Sequence, residues 1–513
     1  MQVTQEKVSQ KGILEKVFKL SEHGTNVKTE VIAGLTTFMT MAYILAVNSN
    51  MLADAGMDAG AVFVATALSA TVACFVMAFL SNYPIALAPG MGLNAFFAYT
   101  VVLQMGYTWQ MALLGVFIEG ILFIILTVTN LREQIINCIP NDLKNAVTAG
   151  VGLFIAAVGM SNAGLISTAS GTLALANMHD PLVILTVAGL VIAGILVCKN
   201  VKGALLLSIL LTSSIGMITG IVALPSAIVS FNIPSLAPTF MQAFTVPVEQ
   251  IFSLDMVIVV FTFLFMDLFD TVGFLVGVAA KGELIDENGK IPKAKQAMLA
   301  DAIGTTIGAM LGTSTVTCFM ESTAGISEGG KTGLTTFTVG ILFVLSLFLA
   351  PLFIAIPSQA TGAALVIVGV MMASCFKDID FDDYTNAIPA FLTFILMPLT
   401  NSVGDGIIFG IVSYTLLKLV TNKKEDINIS LIIKTDIITV GMRAVRQKKK
   451  KLWTAGLQKH RVILKMLQRR RTKKLMICLM NCIKMAIMIT SLERATKSHF
   501  IKNIMKEGTT DEM

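Results

Sequence analysis

The sequence predicts an all-α polytopic membrane fold of fourteen transmembrane segments, arranged as two inverted repeats of seven. Three observations lead there. Of 513 residues, 55% are hydrophobic and only 14% are charged, too few charges for a soluble chain of this size. The apolar residues fall in blocks of roughly 18–22, the length that crosses a bilayer as a helix. The eleven Lys and Arg between Val31 and Val420 are Arg132, Lys144, Lys199, Lys202, Lys281, Lys290, Lys293, Lys295, Lys331, Lys377 and Lys418. With fourteen segments and a cytoplasmic start, every one falls at a cytoplasmic end. The loops 51–60, 104–108, 164–180, 223–254, 356–360 and 400–402 contain none. This is the positive-inside bias, and one miscounted helix would scramble it.

In order, the segments read as 28–50, 61–80, 86–103, 109–129, 145–163, 181–198, 202–222, 255–278, 296–312, 314–327, 332–355, 361–375, 386–400 and 403–421. Residues 1–27 form a polar, slightly basic cytoplasmic N-terminus without the apolar core of a cleavable signal. The first repeat is 28–222, its parts 28–129 and 145–222. An extracytoplasmic loop, 223–254, leads to the second repeat, 255–421, with parts 255–355 and 361–421. Both termini are expected in the cytoplasm. The seven cysteines show no metal spacing and read as packing residues. No metal and no cofactor are expected.

The halves repeat each other. Thr37-Phe38-Met39-Thr40-Met41 resembles Thr262-Phe263-Leu264-Phe265-Met266. Ala65-Thr66-Ala67-Leu68-Ser69-Ala70-Thr71-Val72 resembles Ala300-Asp301-Ala302-Ile303-Gly304-Thr305-Thr306-Ile307. Ile139-Pro140 precedes Val151-Gly152 by the interval at which Ile356-Pro357 precedes Val368-Gly369. The offsets are 225, 235 and 217, so the order is kept. Seven is odd, so the second copy enters from the opposite side, an architecture of transporters.

Segments 3 and 10 are broken. Residues 86–103 carry Pro89, Gly90 and Gly92, and residues 314–327 read half as strand and half as polar helix. Each is expected to bring a short extended stretch to mid-membrane, followed by a half-helix. Gly90 and Gly92 mark one half-helix end, Phe319 and Met320 the other. Non-helical backbone survives at that depth only when protein or a wet cavity covers it. Interrupted segments at matching places in two repeats point to a midplane binding site.

Ionisable groups inside membrane segments are costly and usually functional. Asp267 and Asp270, spaced i, i+3 in segment 8, are expected on one helical face. Glu321 stands at the strand-to-helix switch of segment 10. No Lys or Arg lies at this depth in the sequence. Such carboxyls suit proton uptake and release, and they suit hydrogen bonds to a neutral, planar, polar solute. Asp267, Asp270 and Glu321 are therefore the proton-coupling candidates. Asn94 follows the break in segment 3 with an amide that both donates and accepts. Ser322 and Thr323 either cap the half-helix or touch ligand. Asn94, Asp267, Glu321 and Ser322 form the expected substrate-binding set. Glu119 and Asp301 read as bonds between helices. Phe263, Phe265 and Phe269 read as packing around the acids, and His23 and His179 as surface residues. No catalytic set is present: the sequence has no His/Asp/Glu metal cluster and no Ser/His/Asp group at one depth. Broken helices with buried protonatable acids favour alternating access over a passive channel.

These residues resemble a known family. Ala86-Leu87-Ala88-Pro89-Gly90-Met91-Gly92-Leu93-Asn94-Ala95-Phe96-Phe97-Ala98-Tyr99 is similar to the signature of the adenine/guanine/hypoxanthine permeases, the AzgA-like branch of the nucleobase–cation symporter-2 (xanthine/uracil permease) family. Thr29-Glu30-Val31-Ile32-Ala33-Gly34-Leu35-Thr36-Thr37-Phe38, Phe265-Met266-Asp267-Leu268-Phe269-Asp270-Thr271 and Met320-Glu321-Ser322-Thr323-Ala324-Gly325-Ile326 resemble its other motifs. The likeness runs from about residue 20 to 421. It implies a core domain of 28–129 and 255–355 and a gate domain of 145–222 and 361–421, with substrate bound between them. Asp267 and Glu321 match the family's substrate-binding acids, and Asn94 a segment 3 contact. Purine import across the cytoplasmic membrane by proton symport, and homodimers, are what the resemblance implies. A xanthine, uracil or anion carrier of the same architecture is the alternative. An anion carrier calls for a basic residue at the segment 3 and 10 ends, where this sequence has acids.

The tail, 422–513, is different material. It holds 22 Lys/Arg against 7 Asp/Glu, about +15 of a chain total of +6, which leaves the preceding part near −9. Its runs Lys448-Lys449-Lys450-Lys451 and Arg469-Arg470-Arg471 suit anionic lipid headgroups rather than nucleic acid. Its composition departs from the family and reads like translation of a shifted frame after Lys424.

Overall fold

A computed structural model describes residues 13–129, 140–167, 174–225, 227–247, 251, 253–282, 284, 291–400 and 403–421. The tail 422–513, with its basic runs, lies outside the described residues, as do Arg132, Lys290, Cys138, Cys478 and Cys482. So do the side chains of Phe269 and Lys281. The described chain is a helical membrane protein. Its elements are α1 (Ile13–Phe18), α2 (Val27–Met41), α3 (Ile44–Asp54), α4 (Ala59–Leu80), β1 (Leu87–Pro89), α5 (Met91–Ala95), α6 (Trp109–Val128) and α7 (Asn141–Asn162). A small hairpin, β2 (Ile166–Ser167) and β3 (Ala174–Leu175), leads to α8 (Pro181–Cys198), α9 (Ala204–Ile218), α10 (Leu254–Lys281) and α11 (Ala294–Leu311). Then come β4 (Val316–Cys318), α12 (Ser322–Ser327), α13 (Gly333–Ser346), α14 (Ala350–Ile354), α15 (Ser358–Ala373), α16 (Tyr384–Thr400) and α17 (Val403–Val420).

Every segment expected from the sequence holds one or more of these elements. Among the described residues, eight helical stretches are long and apolar enough to cross a membrane by length and composition. The helix starts are set by side-chain caps. Asn26, Asp58, Thr108, Asp180 and Ser253 each accept a backbone N–H of the first turn of α2, α4, α6, α8 and α10. Gly312 ends α11 at φ +101°, and a side chain there would collide with Thr239.

The first segment departs from the single helix expected over 28–50: it breaks at Ala42–Tyr43. The cause is local. The Thr40 hydroxyl bonds back to the Thr37 carbonyl at 2.7 Å, and the following amides close short i→i−3 turns, Leu45 to Ala42 and Ala46 to Tyr43. Hydroxyls that bond back in this way bend helices.

Segments 3 and 10 meet each other. β1 and β4 pair antiparallel with Leu87 opposite Cys318, Ala88 opposite Thr317 and Pro89 opposite Val316. The ladder continues symmetrically beyond the strands. Gly90 N–H donates to the Thr315 carbonyl, and Phe319 N–H donates to the Ala86 carbonyl, both at 3.0 Å. The two extended stretches therefore satisfy each other's backbone, and both are buried. After β1 the chain runs through α5 into a wide-turned helical stretch, Phe96–Gln104. After β4 it runs into α12.

The helices pack in two groups. One joins α2–α6 with α10–α13; the other joins α7–α9 with α15–α17. In the second group α7 and α15 lie in backbone contact. A Cβ on Gly152 would fall 2.8 Å from the Gly369 carbonyl, and one on Gly159 the same distance from the Gly362 carbonyl. Gly152 and Gly369 are the residues that the internal sequence repeat equates. Equivalent positions facing each other is what a pseudo-two-fold axis requires. Small residues that let backbones approach are the usual adhesive where lipid removes the hydrophobic drive between helices.

Gly152→Ala or Gly369→Ala is expected to destabilise the purified protein by about 1–3 kcal/mol through overpacking. Gly194→Ala, where a Cβ meets no atom within 4 Å, should leave the melting temperature unchanged or raise it. Thermal unfolding in detergent checks this. Equal melting temperatures for all three variants would contradict the close contact.

Candidate functional site

The paired strand ends open onto a cavity of about 1110 Å³ between the two helix groups. From the first group come Thr40, Tyr43, Gly90–Gly92, Asp270 and Thr317–Glu321. From the second come Asn141, Lys144, Asn145 and Thr148 of α7, the α8–α9 turn, and the end of α15 with Met371, Met372 and Cys375. The cavity runs from half-buried Glu321 out to exposed Asn200 and Lys202. At its mouth Lys202 forms an ion pair with Glu328.

Six of the residues expected at the site line this cavity: Gly90, Gly92, Asp270, Phe319, Met320 and Glu321. Glu321 precedes α12, and its Oε1 accepts a hydrogen bond from the Tyr43 hydroxyl at 2.7 Å. Asp270 is 4% exposed. It stands beside Gly92, whose Cβ, if present, would lie 3.4 Å from Asp270 Oδ2 and 2.6 Å from Val151 Cγ1. Gly90 has a matching constraint, since a Cβ there would lie 2.5 Å from Thr317 Cγ2. Gly92 is bare because the Val151 side chain passes so close, and Gly90 because Thr317 of β4 does.

Three expected substrate contacts are placed elsewhere. Asn94 is fully buried, its amide bonded to Ser314 Oγ and the Pro89 carbonyl. It braces the strand-to-helix turn and does not line the cavity. Ser322 Oγ accepts the Ala86 N–H at 3.0 Å, tying α12 to the chain before β1. Asp267 is fully buried and turned behind the strands. There the Thr271 hydroxyl lies 3.0 Å from Asp267 Oδ1, 2.9 Å from Asp301 Oδ2 and 3.0 Å from Thr317 Oγ1. Glu119 contacts Asp267 and accepts from the Thr315 hydroxyl at 3.2 Å. A hydroxyl has one proton, and an ionised carboxylate only accepts. The single Thr271 proton is shared or alternates between the two aspartates, a three-centre contact. Glu119 and Asp301 do join helices, α6 and α11, to α10.

Tyr43, Thr40, Thr317 and the polar end of α7 also line the cavity, beyond the residues the sequence pattern predicts. The signal for Tyr43 was available: a tyrosine deep in an apolar segment needs a partner for its hydroxyl. Of the aromatics, Phe263 packs edge-on against Phe96 and Phe265 stacks on Phe261, whereas Phe319 is the ring at the cavity. His23 and His179 are exposed as expected. Among the described residues no group of three His, Cys, Asp or Glu has the arrangement to hold a metal ion.

The end of the bundle opposite the cavity mouth carries polar contacts between the groups. Asp54 of α3 accepts from the Tyr99 hydroxyl at 2.8 Å and from the Asn162 amide of α7 at 2.9 Å. Gln104 donates to the Thr400 carbonyl at 2.6 Å.

A sequence model of the permease family, of the xanthine/uracil permease type, matches residues 28–408. The chain belongs to this family. Similar relatives include a putative permease of Methanocaldococcus jannaschii, 48% identical over 81% of this chain and 94% of the relative. The guanine/hypoxanthine permease PbuG of Bacillus subtilis is 45% identical over 81% of this chain and 96% of its own length. The adenine permease AdeP of Escherichia coli is 42% identical over 83% and 95%. Among solved structures, the transmembrane domain of the cyanobacterial bicarbonate transporter BicA shares the permease's fold, with a TM-score of 0.56 at 16% identity, covering 75% of this chain and 97% of that one. The permease is thus a multi-pass membrane transporter and not an enzyme, and its fold is that of a known transporter class.

Ser322→Ala leaves the buried Ala86 N–H without its partner, a loss of about 1–3 kcal/mol. The expected result is a lower melting temperature with the affinity for transported solute changed less than the tenfold that about 1.4 kcal/mol represents. Unchanged melting with affinity lost tenfold or more would return Ser322 to the ligand.

Proposed function

We propose that this permease imports purine nucleobases, of the adenine, guanine or hypoxanthine kind, together with protons across the cytoplasmic membrane. The carrying observation is that Asp270 and Glu321, one from each broken-segment neighbourhood, face one cavity at the paired strand ends. A purine is neutral and flat, and its edge presents N–H donors. Carboxylates accept such bonds, and Phe319 offers an apolar surface beside them. The relatives named for guanine, hypoxanthine and adenine transport support the same class of solute.

In this reading the chain crosses the membrane fourteen times with both termini cytoplasmic. Segments 28–129 and 255–355 form the core, and 145–222 and 361–421 form the gate. The cavity mouth carries Lys144 and Lys202, so by the positive-inside rule it faces the cytoplasm. The Asp54–Tyr99–Asn162 contacts then close the outer side, and transport exchanges these two closures around a fixed site. Glu321 and Asp270 meet the base. Asp267, with Glu119 and Asp301, holds protons behind the strands, and Thr317 touches both the cavity and that group through Thr271. Homodimers belong to this reading on the family resemblance alone. An anion carrier of the same fold is disfavoured because the strand ends carry acids.

Uptake of labelled adenine, guanine, hypoxanthine, xanthine and uracil into proteoliposomes tests the proposal. At least one of the first three should accumulate, faster at lower external pH, and a protonophore should abolish accumulation. A carboxylate bond to a buried donor contributes about 1.5–3 kcal/mol. Glu321→Gln and Asp270→Asn should therefore each weaken equilibrium binding about 10- to 100-fold. Uptake of none of the purines would overturn the substrate, and uptake indifferent to the protonophore would overturn the coupling.

A further inference from the structure

Tyr43 is 1% exposed and stands at the break between α2 and α3. Its hydroxyl meets Glu321 Oε1, and both residues line the cavity. The contact joins the two repeats: Tyr43 belongs to the first segment and Glu321 to the tenth. It is held by rigid packing on both sides. Gly325 of α12 lies so close to α2 that a Cβ there would fall 2.5 Å from the Ala33 carbonyl. One turn before Tyr43, the Thr40 hydroxyl lies 3.4 Å from the Glu321 carbonyl. The side chain and the backbone of Glu321 are thus both approached from one kinked helix.

We propose that Tyr43 is a positioning residue for nucleobase recognition: its hydroxyl fixes the Glu321 carboxyl with Oε2 turned to the cavity. The proposal rests on the reading of Glu321 as a base-binding acid. The physics is preorganisation. A glutamate side chain has several rotatable bonds, and a carboxyl at a wet cavity wall samples many orientations. Ordering it only when substrate arrives takes free energy out of binding. A phenol that holds one oxygen in advance removes that loss and leaves the second oxygen to accept an N–H from the base. The bend at Ala42–Tyr43 has a use in this scheme, since it brings the phenol to the start of α12.

Tyr43→Phe keeps the ring and removes the hydroxyl. With adenine, guanine and hypoxanthine as probes on the purified full chain, Tyr43→Phe is expected to raise Kd about five- to tenfold for whichever base wild type binds, roughly the effect of one hydrogen bond. The maximal transport rate and the melting temperature should stay near wild type. A structural role would lower both. A double-mutant cycle decides the route: in a Glu321→Ala background, Tyr43→Phe should change Kd no further. Glu321→Asp, which keeps the charge but withdraws the carboxyl from Tyr43, should weaken binding to a similar degree and serves if Tyr43→Phe folds poorly. Wild-type affinity in Tyr43→Phe, or the same fold-loss with and without Glu321, would overturn the proposal. If Glu321→Gln weakens binding while Tyr43→Phe does not, only the positioning role fails. If Glu321→Gln binds normally, the base-binding reading of Glu321 fails first.

Discussion

The structure depends on one constraint: two stretches of extended backbone lie buried inside a helical membrane protein, and their polar groups have to be paired. Both strands are fully buried, and an unpaired amide in such a place is expensive. β1 and β4 solve the problem for each other, and the bonds from Gly90 and Phe319 extend the solution by one residue at each end. Neither repeat can do this alone, so the pairing binds the two halves of the chain together. It also fixes where both half-helices begin, and hence where Glu321 and Gly92 stand; Asp270 of α10 packs beside Gly92.

The acids follow from that frame. In front of the strands, Asp270 and Glu321 face a cavity. Behind them, Asp267, Asp301 and Glu119 share hydrogen bonds with Thr271 and Thr315. Thr317, in the middle of β4, touches both sides. A strand side chain that reaches the cavity on one side and a group of three buried acids on the other is the short physical link that the proposed proton coupling would use. The fixed strands and the helices that press on them give this link little freedom. In the proposed transport cycle the movement falls to the surfaces between the two helix groups, where Asn162 meets Asp54 and Lys202 meets Glu328.

Much of this was legible in the sequence because membrane helices announce themselves by length and charge. The breaks in segments 3 and 10 were legible because Pro89, Gly90 and Gly92, and the polar run around Thr317, cannot form a lipid-exposed helix. Which way a side chain turns was not. Asp267 and Asp270 are three residues apart, which leaves them about 60° apart around the helix. That is near enough to call one face, yet wide enough for neighbouring helices to claim one and the cavity the other. Asn94 looked like a ligand contact because an amide suits a base edge, but the tight turn after β1 needs the same amide. Tyr43 is hidden in the sequence because an aromatic in an apolar run reads as packing. Only the kink made by Thr40, itself invisible in a hydrophobicity pattern, brings its hydroxyl to Glu321.

On the proposed reading, a planar base is held in front of the strand pair, between Glu321 and Asp270. The most direct measurement is an experimental structure of the purified protein saturated with the purine it transports. The expected result is flat density over the ends of β1 and β4, with a ring N–H within hydrogen-bond distance of Glu321 and the base edge beside Asp270. Density behind the strands against Asp267, or a base bound without contact to either cavity acid, would contradict it.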